Sequence, residues 1–275
     1  MLSAVSCLGA LAALVSLAFA GCTAERYLTR RRPHELAWTQ SLCMFAAGSL
    51  AYWAAGAGGW EPWNFRAFYL FGAILNVPYL AVGTIYLLGG DELGRRLHRR
   101  LHVAAGFCSG ALVVTPLLRP LPRTGLPEGR AVFGIAPRVM AAVGSGLGAT
   151  VLILGALWSA WKLLATKRRP ALGAAPTISP ARLAATNLLI AAGSIVLSLG
   201  GTVFTSADRE VGFGILLVAG IGVLFAGFLV SGTGAPASTA AVPTPPEGLD
   251  EFGLELWELI HAPADPPNGG GGPPR

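Results

Sequence analysis

Seven apolar stretches follow one another along the chain, and the charged residues lie mainly between them. Each stretch contains roughly twenty residues, enough for a helix about 30 Å long, the thickness of a hydrocarbon core. Because backbone in lipid must satisfy its own hydrogen bonds, each stretch is expected to be helical. The pattern predicts an all-α integral membrane protein, a seven-transmembrane helix bundle within residues 1–231, with spans at 2–24, 36–59, 67–90, 102–118, 139–161, 183–207 and 211–231.

The composition supports a membrane location. Hydrophobic residues make up 53% of the chain and charged residues only 12%, whereas a soluble domain has about 25% charged residues. The formal charge is +6, but the basic residues cluster between the apolar stretches, where membrane topology requires them. The expected partner is therefore the lipid bilayer and not a nucleic acid. The four cysteines show no CxxC spacing, and no metal or cofactor is predicted.

The distribution of Lys and Arg predicts the orientation of the bundle. The first, third and fifth loops carry thirteen of these residues, and the even-numbered loops with their borders carry six. Basic residues favour the cytoplasmic side, which places the N-terminus outside and the C-terminus inside. Span 2–24 is expected to be a retained helix and not a signal peptide, because Arg30, Arg31 and Arg32 follow it instead of preceding it. The richness in Arg, Ala, Gly and Pro suggests a bacterial plasma membrane.

The composition changes after the last span. Residues 232–275 form a predicted flexible cytoplasmic tail rich in Gly, Ala, Ser, Thr and Pro. Within it, residues 247–261 have apolar positions at helical spacing, with five acidic residues between them, which predicts a short acidic amphipathic helix. This helix is expected to bind a cytoplasmic protein partner, to dock on the basic face of its own bundle, or to lie loosely at the surface. The partner-binding candidates are Leu249, Phe252, Leu256, Trp257 and Ile260.

The first three spans and the last three spans share short sequences in the same order. Basic segments that end in Pro33 and Pro170 follow the first and fifth spans. The second span contains AAGSL and the sixth AAGSI, which places Ser49 opposite Ser194. FGAIL lies early in the third span and FGILL early in the seventh. These matches predict a possible 3+1+3 parallel repeat. The arrangement resembles that of SWEET-type sugar transporters, which implies a substrate site near the membrane midplane between the repeats. The Pro-Gln signature of the related PQ-loop proteins is absent, so the resemblance is limited to architecture.

Polar and helix-breaking residues inside the apolar stretches are the candidate site residues. Asn76 requires a hydrogen-bond partner within the membrane, Pro78 removes a backbone donor beside it, and Tyr79 lies three residues further on, where it can share a face with Asn76. The alternative role for this cluster is an interhelical hydrogen bond at a kink. The predicted ligand-binding residues are Asn76, Tyr79, Ser49 and Ser194, and the predicted structural kinks are Pro78 and Pro116.

Several other polar positions are expected to have structural roles. Gly144 and Gly148 form a GxxxG sequence, which indicates close helix packing, more often within one chain than between two. His98 and His102 share a helical face, but metal or haem binding there would require ligands from elsewhere and is opposed by the neighbouring arginines. Glu210 is expected to be a solvated charge at the outer surface.

The chain contains no HExxH, GxSxG or P-loop sequence and no clustered acid pair, so enzyme activity is not predicted. The leading functional hypothesis is a small-solute transporter or binder with a midplane site near Asn76. The alternative is a non-catalytic accessory or signalling membrane subunit that recruits a cytoplasmic partner through its acidic C-terminal helix.

Overall fold

The computed structural model describes residues 3–123, 125–165, 180–199 and 209–232. They belong to one compact unit, Met1–Gly232, whereas a second unit, Thr233–Arg275, lies outside the described residues together with the predicted helix 247–261. Every regular element in the described part is helical. The elements are α1 (Ala4–Arg30), α2 (Pro33–Gly58), α3 (Pro62–Phe68), a π-helical segment (Tyr69–Leu75), α4 (Asn76–Gly89), α5 (Asp91–Val114), α6 (Gly129–Val132), α7 (Ile135–Ala165), α8 (Pro180–Leu199) and α9 (Arg209–Gly232).

Four of the described helices are long and apolar enough to cross a membrane. They are Ala4–Arg30, Pro62–Gly89, Ile135–Ser159 and Glu210–Val230. Large apolar side chains also remain exposed on the outside of the bundle, including Leu14, Phe107 and Leu147. A soluble surface rarely exposes so many. The prediction of an all-helical fold is therefore confirmed for the described residues, and their four long apolar helices are those expected of a membrane protein.

Hydrogen bonds between distant residues show which helix ends lie together. The Ser3 hydroxyl donates to the carbonyl of Gly56 over 2.9 Å, which brings the start of α1 to the end of α2. Arg66 donates to the carbonyl of Thr115 over 2.8 Å, so α3 begins near the point where α5 ends. We call this the Ser3 end of the bundle. At the opposite end, the Arg31 end, α1 closes at Arg31 in the left-handed conformation.

The boundaries of α5 differ from the predicted span 102–118. This helix begins at Asp91, because its charged first half is still compatible with helical structure, and it ends at Val114. Pro116 lies just beyond that end, so the prediction that Pro116 kinks a span is wrong: the proline follows the helix. Pro78, the other predicted kink, lies in the first turn of α4, directly after the π-helical segment.

The helices of the two halves pack on each other reciprocally. In each half the neighbouring helices contact one another, α1 with α2 and α2 with α4, then α7 with α8 and α8 with α9. Between the halves, α4 packs on α7 and α9 packs on α1. The second contact includes Phe19, whose ring lies 5.0 Å from that of Phe225 and 4.8 Å from that of Phe228.

The π-helical segment is closely packed against α7. The backbone N–H of Asn76 bonds to the carbonyl of Phe71, five residues back, because the turn is widened. Gly144 and Gly148 of α7 lie against this segment and the start of α4. A Cβ on Gly144 would be 2.6 Å from the carbonyl oxygen of Ile74, and a Cβ on Gly148 would be 3.0 Å from the carbonyl carbon of Val77. The GxxxG sequence is therefore a packing face within the chain, as predicted.

Candidate binding cavity

A cavity of about 930 Å³ lies among α2, the π-helical segment, α7, α8 and α9. It extends from residues 126–130, the loop before α6 and the start of α6, at the Ser3 end to Asn76 and Leu80. Its volume is in the range of small-molecule sites. Most of its wall is apolar, formed by side chains such as Phe45, Phe65 and Leu217. Three of the four predicted ligand-binding residues line this cavity: Asn76, Ser49 and Ser194.

Asn76 occupies the position where the π-helical segment passes into α4. Its exposed fraction is 6%, and its side-chain oxygen Oδ1 has no hydrogen-bond partner among the described residues. Its backbone carbonyl accepts a bond of 2.7 Å from the Ser41 hydroxyl. The backbone at Asn76 is therefore held by α2, while its amide oxygen is buried without a partner among the described residues. A buried acceptor without a partner costs about 1–3 kcal/mol, which a donor on a bound ligand or water would offset.

Ser49 and Ser194 occupy matching positions in the two halves of the sequence, and both line the cavity. Ser49 is 2% exposed, and its hydroxyl oxygen has no partner within the described part of the chain. Ser194 is 4% exposed and donates to the carbonyl of Ile190 over 2.8 Å. The hydroxyl of Ser194 is thus bound back to its own helix, whereas that of Ser49 is a second buried polar group without a described partner.

Two further serines of the wall were not predicted as site residues. Ser41 lies two helical turns before Ser49 on α2, and its hydroxyl donates a hydrogen bond to the backbone carbonyl of Asn76. Ser145 lies between the packing glycines of α7, and its hydroxyl donates to the carbonyl of Ala73 in the π-helical segment. The spacing of Ser41 and Ser49 along one helical face was the available signal for the first. No signal in the sequence identified the carbonyl that Ser145 binds.

Tyr79 is buried at 2% exposure but does not line the cavity. Its ring instead lies 5.7 Å from the ring of His98 and 5.4 Å from that of His102, both edge-on. The expectation that Tyr79 shares a site with Asn76 is therefore not met. Tyr79 packs against α5.

The loop at the Ser3 end is fastened to the start of α9 by Glu210. The carboxylate of Glu210 accepts from the indole N–H of Trp60 over 3.3 Å and from the backbone N–H of Gly125 over 3.0 Å. Its backbone carbonyl accepts from the Tyr52 hydroxyl. Glu210 is thus a structural acceptor and not the solvated charge that was expected. The loop it holds carries the charged rim of the cavity, Glu128 and Arg130, which form an ion pair.

The lining of the cavity has its charged groups near one end and neutral polar groups deeper in. Its charged lining residues are Glu128, Arg130 and Arg138, all in the segment that precedes or begins α7, and its deeper polar groups are amides and hydroxyls. Neither carboxylate nor imidazole accompanies Asn76 among the residues that line the deeper part. A ligand there would meet apolar walls and a few fixed acceptors.

No protein-family model, curated protein or solved structure matches this chain.

Proposed function

We propose that the chain crosses a bacterial plasma membrane seven times, with the Ser3 end outside and the Arg31 end in the cytoplasm. The four apolar spans alternate along the chain with α2, α5 and α8, which contain 26, 24 and 20 residues. Since α1 and α3 both begin at the Ser3 end, α2 must return across the bundle. The excess of Lys and Arg in the odd-numbered loops supports the orientation.

The lipid-facing side of α5 supports its assignment as a span. Val103, Phe107 and Val114 lie along one face and are 76%, 69% and 79% exposed. These residues occupy the second half of α5, beyond its cluster of arginines. Apolar side chains in such a row are stabilised when lipid covers them.

We also propose that the two halves are a parallel repeat. The reciprocal contacts, α4 with α7 and α9 with α1, are those expected of two similar three-helix units related by an approximate two-fold axis. The matched serines Ser49 and Ser194 both line the cavity between the halves. In this arrangement α9 is the regular copy, and the segment with the π-helical turn and Asn76 is the specialised copy.

The function that the geometry supports best is binding, and by extension transport, of a small solute in this cavity. One observation carries the proposal: the cavity reaches Asn76, where two polar groups, Asn76 Oδ1 and Ser49 Oγ, are buried without partners in the described part of the chain. Their oxygens accept hydrogen bonds, so the expected solute has donor groups at one end and an apolar body.

The alternative function, an accessory or signalling subunit, depends on residues 247–261, which lie outside the described residues. A closed bundle would favour the accessory subunit, whereas the cavity favours binding or transport of a small solute. The two are distinguished by deleting residues 247–261. A transporter or binder keeps its solute binding after the deletion, whereas an accessory subunit loses a protein that copurifies with it.

The proposal is tested by following thermal unfolding of the purified full chain with a panel of sugars, amino acids and nucleosides. A solute that binds the native state raises the unfolding temperature. We expect Ser49→Ala to abolish that rise for the solute that produces it. Ser16→Ala is the matched control, because Ser16 is equally buried but bonds to the carbonyl of Ala12 away from the cavity. A rise that both variants retain would exclude this cavity as the binding site.

A further inference from the structure

A second cavity, of about 380 Å³, lies at the Arg31 end of the bundle. It is an open pocket formed by the first turns of α2, the last turns of α4 and the first half of α5. Two arginines, two histidines, an amide and a phenol dominate its wall, and no acidic residue is among the described side chains that line it. These residues are Gln40, Tyr86, Arg95, His98, Arg99 and His102.

The positive side of this cavity is one face of α5. Arg95, His98, Arg99 and His102 are spaced by three, one and three residues, so they form a continuous stripe along the helix. Membrane topology requires basic residues at this end, but it does not require them to share a face. Arg96 and Arg100, the other arginines of the same helix, do not line the cavity.

The wall behind the arginines is fixed by buried hydrogen bonds. His98 is 7% exposed, with Nε2 lying 2.8 Å from Gln40 Oε1 and Nδ1 lying 3.3 Å from the Tyr86 hydroxyl. His102 Nδ1 donates to the carbonyl of His98 over 2.8 Å, which fixes the orientation of its ring. Tyr86 reaches this position because Gly94 has no side chain: a Cβ there would lie 2.2 Å from the ring.

We propose that this cavity binds a phosphate group, which the guanidinium groups of Arg95 and Arg99 contact beside the His102 ring. Guanidinium groups match the geometry of phosphate oxygens and form charge-assisted hydrogen bonds with them. Phosphates at the cytoplasmic face of a membrane come from lipid headgroups or from soluble phosphate compounds.

Arg95 is available for such a ligand. It now bonds to Glu92 over 3.1 Å, but both side chains are more than half exposed, and exposed pairs contribute little. Glu92 also holds Arg96 over 2.7 Å, so its carboxylate keeps a partner when Arg95 turns towards the cavity.

The test compares two double variants with the same change in charge on the same helix. The cavity variant is Arg95→Gln with Arg99→Gln, and the control is Arg96→Gln with Arg100→Gln. The full chain, in a neutral detergent, is titrated calorimetrically with dihexanoyl phosphatidic acid, with inorganic phosphate and with dihexanoyl phosphatidylcholine as the zwitterionic comparison.

We expect the cavity variant to weaken binding of phosphatidic acid about tenfold or more, as for the loss of one charge-assisted hydrogen bond. The control should change it by less than about threefold, as expected of exposed charges. Binding of phosphatidic acid without inorganic phosphate assigns a lipid headgroup, whereas comparable binding of both assigns a soluble phosphate. Equal losses in the two double variants, or no binding of either phosphate probe to the unmodified chain, would overturn the proposal.

Discussion

Replacement of Gly144 by alanine tests the close packing at the π-helical segment. The added Cβ would lie 2.6 Å from the carbonyl oxygen of Ile74, whereas ordinary contact begins at 3.4 Å. Both atoms belong to the backbones of packed helices, so α7 must move by several tenths of an ångström to relieve the overlap. Overpacking of this kind costs about 1–3 kcal/mol. We therefore expect Gly144→Ala to lower the free energy of unfolding by that amount.

Gly146 provides the control on the same helix. Nothing lies within 4 Å of a Cβ at this position, so Gly146→Ala is expected to be neutral or to stabilise α7 by up to about 1 kcal/mol through helix propensity. Thermal unfolding in mild detergent, followed by tryptophan fluorescence, measures the difference at roughly 2–4 °C per kcal/mol for a chain of this size. Equal midpoints for the two variants would refute the packing described here.

Three further predictions concern the cavity, the Arg31 end and the Ser3 end. Ser49→Ala should leave the free energy of unfolding unchanged or raise it by up to about 1 kcal/mol, since it removes a buried hydroxyl without a described partner. Ser16→Ala should lower the free energy of unfolding, because it removes the hydrogen bond to the carbonyl of Ala12. Calorimetry measures both changes. Burial and the nearby His102 hold the pKa of His98 below its ordinary value. The contribution of neutral His98 to the free energy of unfolding should therefore be fully present above pH ~6.5 and decline as the pH falls below that value. His98→Asn should flatten that decline in unfolding midpoints measured against pH. Glu210→Ala should cost about 1–3 kcal/mol and speed hydrogen exchange at the Gly125 amide, and unchanged exchange would contradict the role of Glu210.

The helical membrane fold was predictable because its cause is local and repeated. Long apolar stretches with few charges form helices in lipid, and the four helices long and apolar enough to cross a membrane are such stretches. The start of α5 was missed for a related reason. Hydropathy detects only the apolar part of a helix, and the arginine-rich first half of α5 is helical without being apolar.

Some of the cavity residues were predictable because they are polar residues within apolar stretches. Asn76, Ser49 and Ser194 are polar residues in apolar stretches, and such residues face the interior of a bundle where polar groups are tolerated. Tyr79 was misassigned because three residues turn a helix by about 300°, which leaves two side chains about 60° apart. That difference is enough for Asn76 to line the cavity while Tyr79 meets the histidines of α5.

The remaining features depend on contacts that no local pattern encodes. The π-helical turn widens one turn of an apolar segment without changing its composition, and Pro78 was its nearest signal. Glu210 binds Trp60 across 150 positions of sequence. Its role could be recognised only after the fold had brought the start of α9 to the loop that follows α2.

We expect water and solutes to reach Ser49 and Asn76 through the bundle. Cysteine accessibility tests it directly, since Cys7, Cys22, Cys43 and Cys108 are free, do not line the cavity and can be replaced by alanine. In that background a single cysteine is placed either at position 49 in the cavity or at position 147, where the leucine is 66% exposed on the apolar outside.

The measurement is the rate at which a membrane-impermeant methanethiosulfonate reagent labels each cysteine in sealed proteoliposomes, separately for chains with the Ser3 end facing out. We expect the cysteine at position 49 to react readily from the Ser3 end and the cysteine at position 147 to be shielded by lipid. Labelling at position 49 no faster than at position 147 would show a closed bundle and contradict solvent access to the cavity.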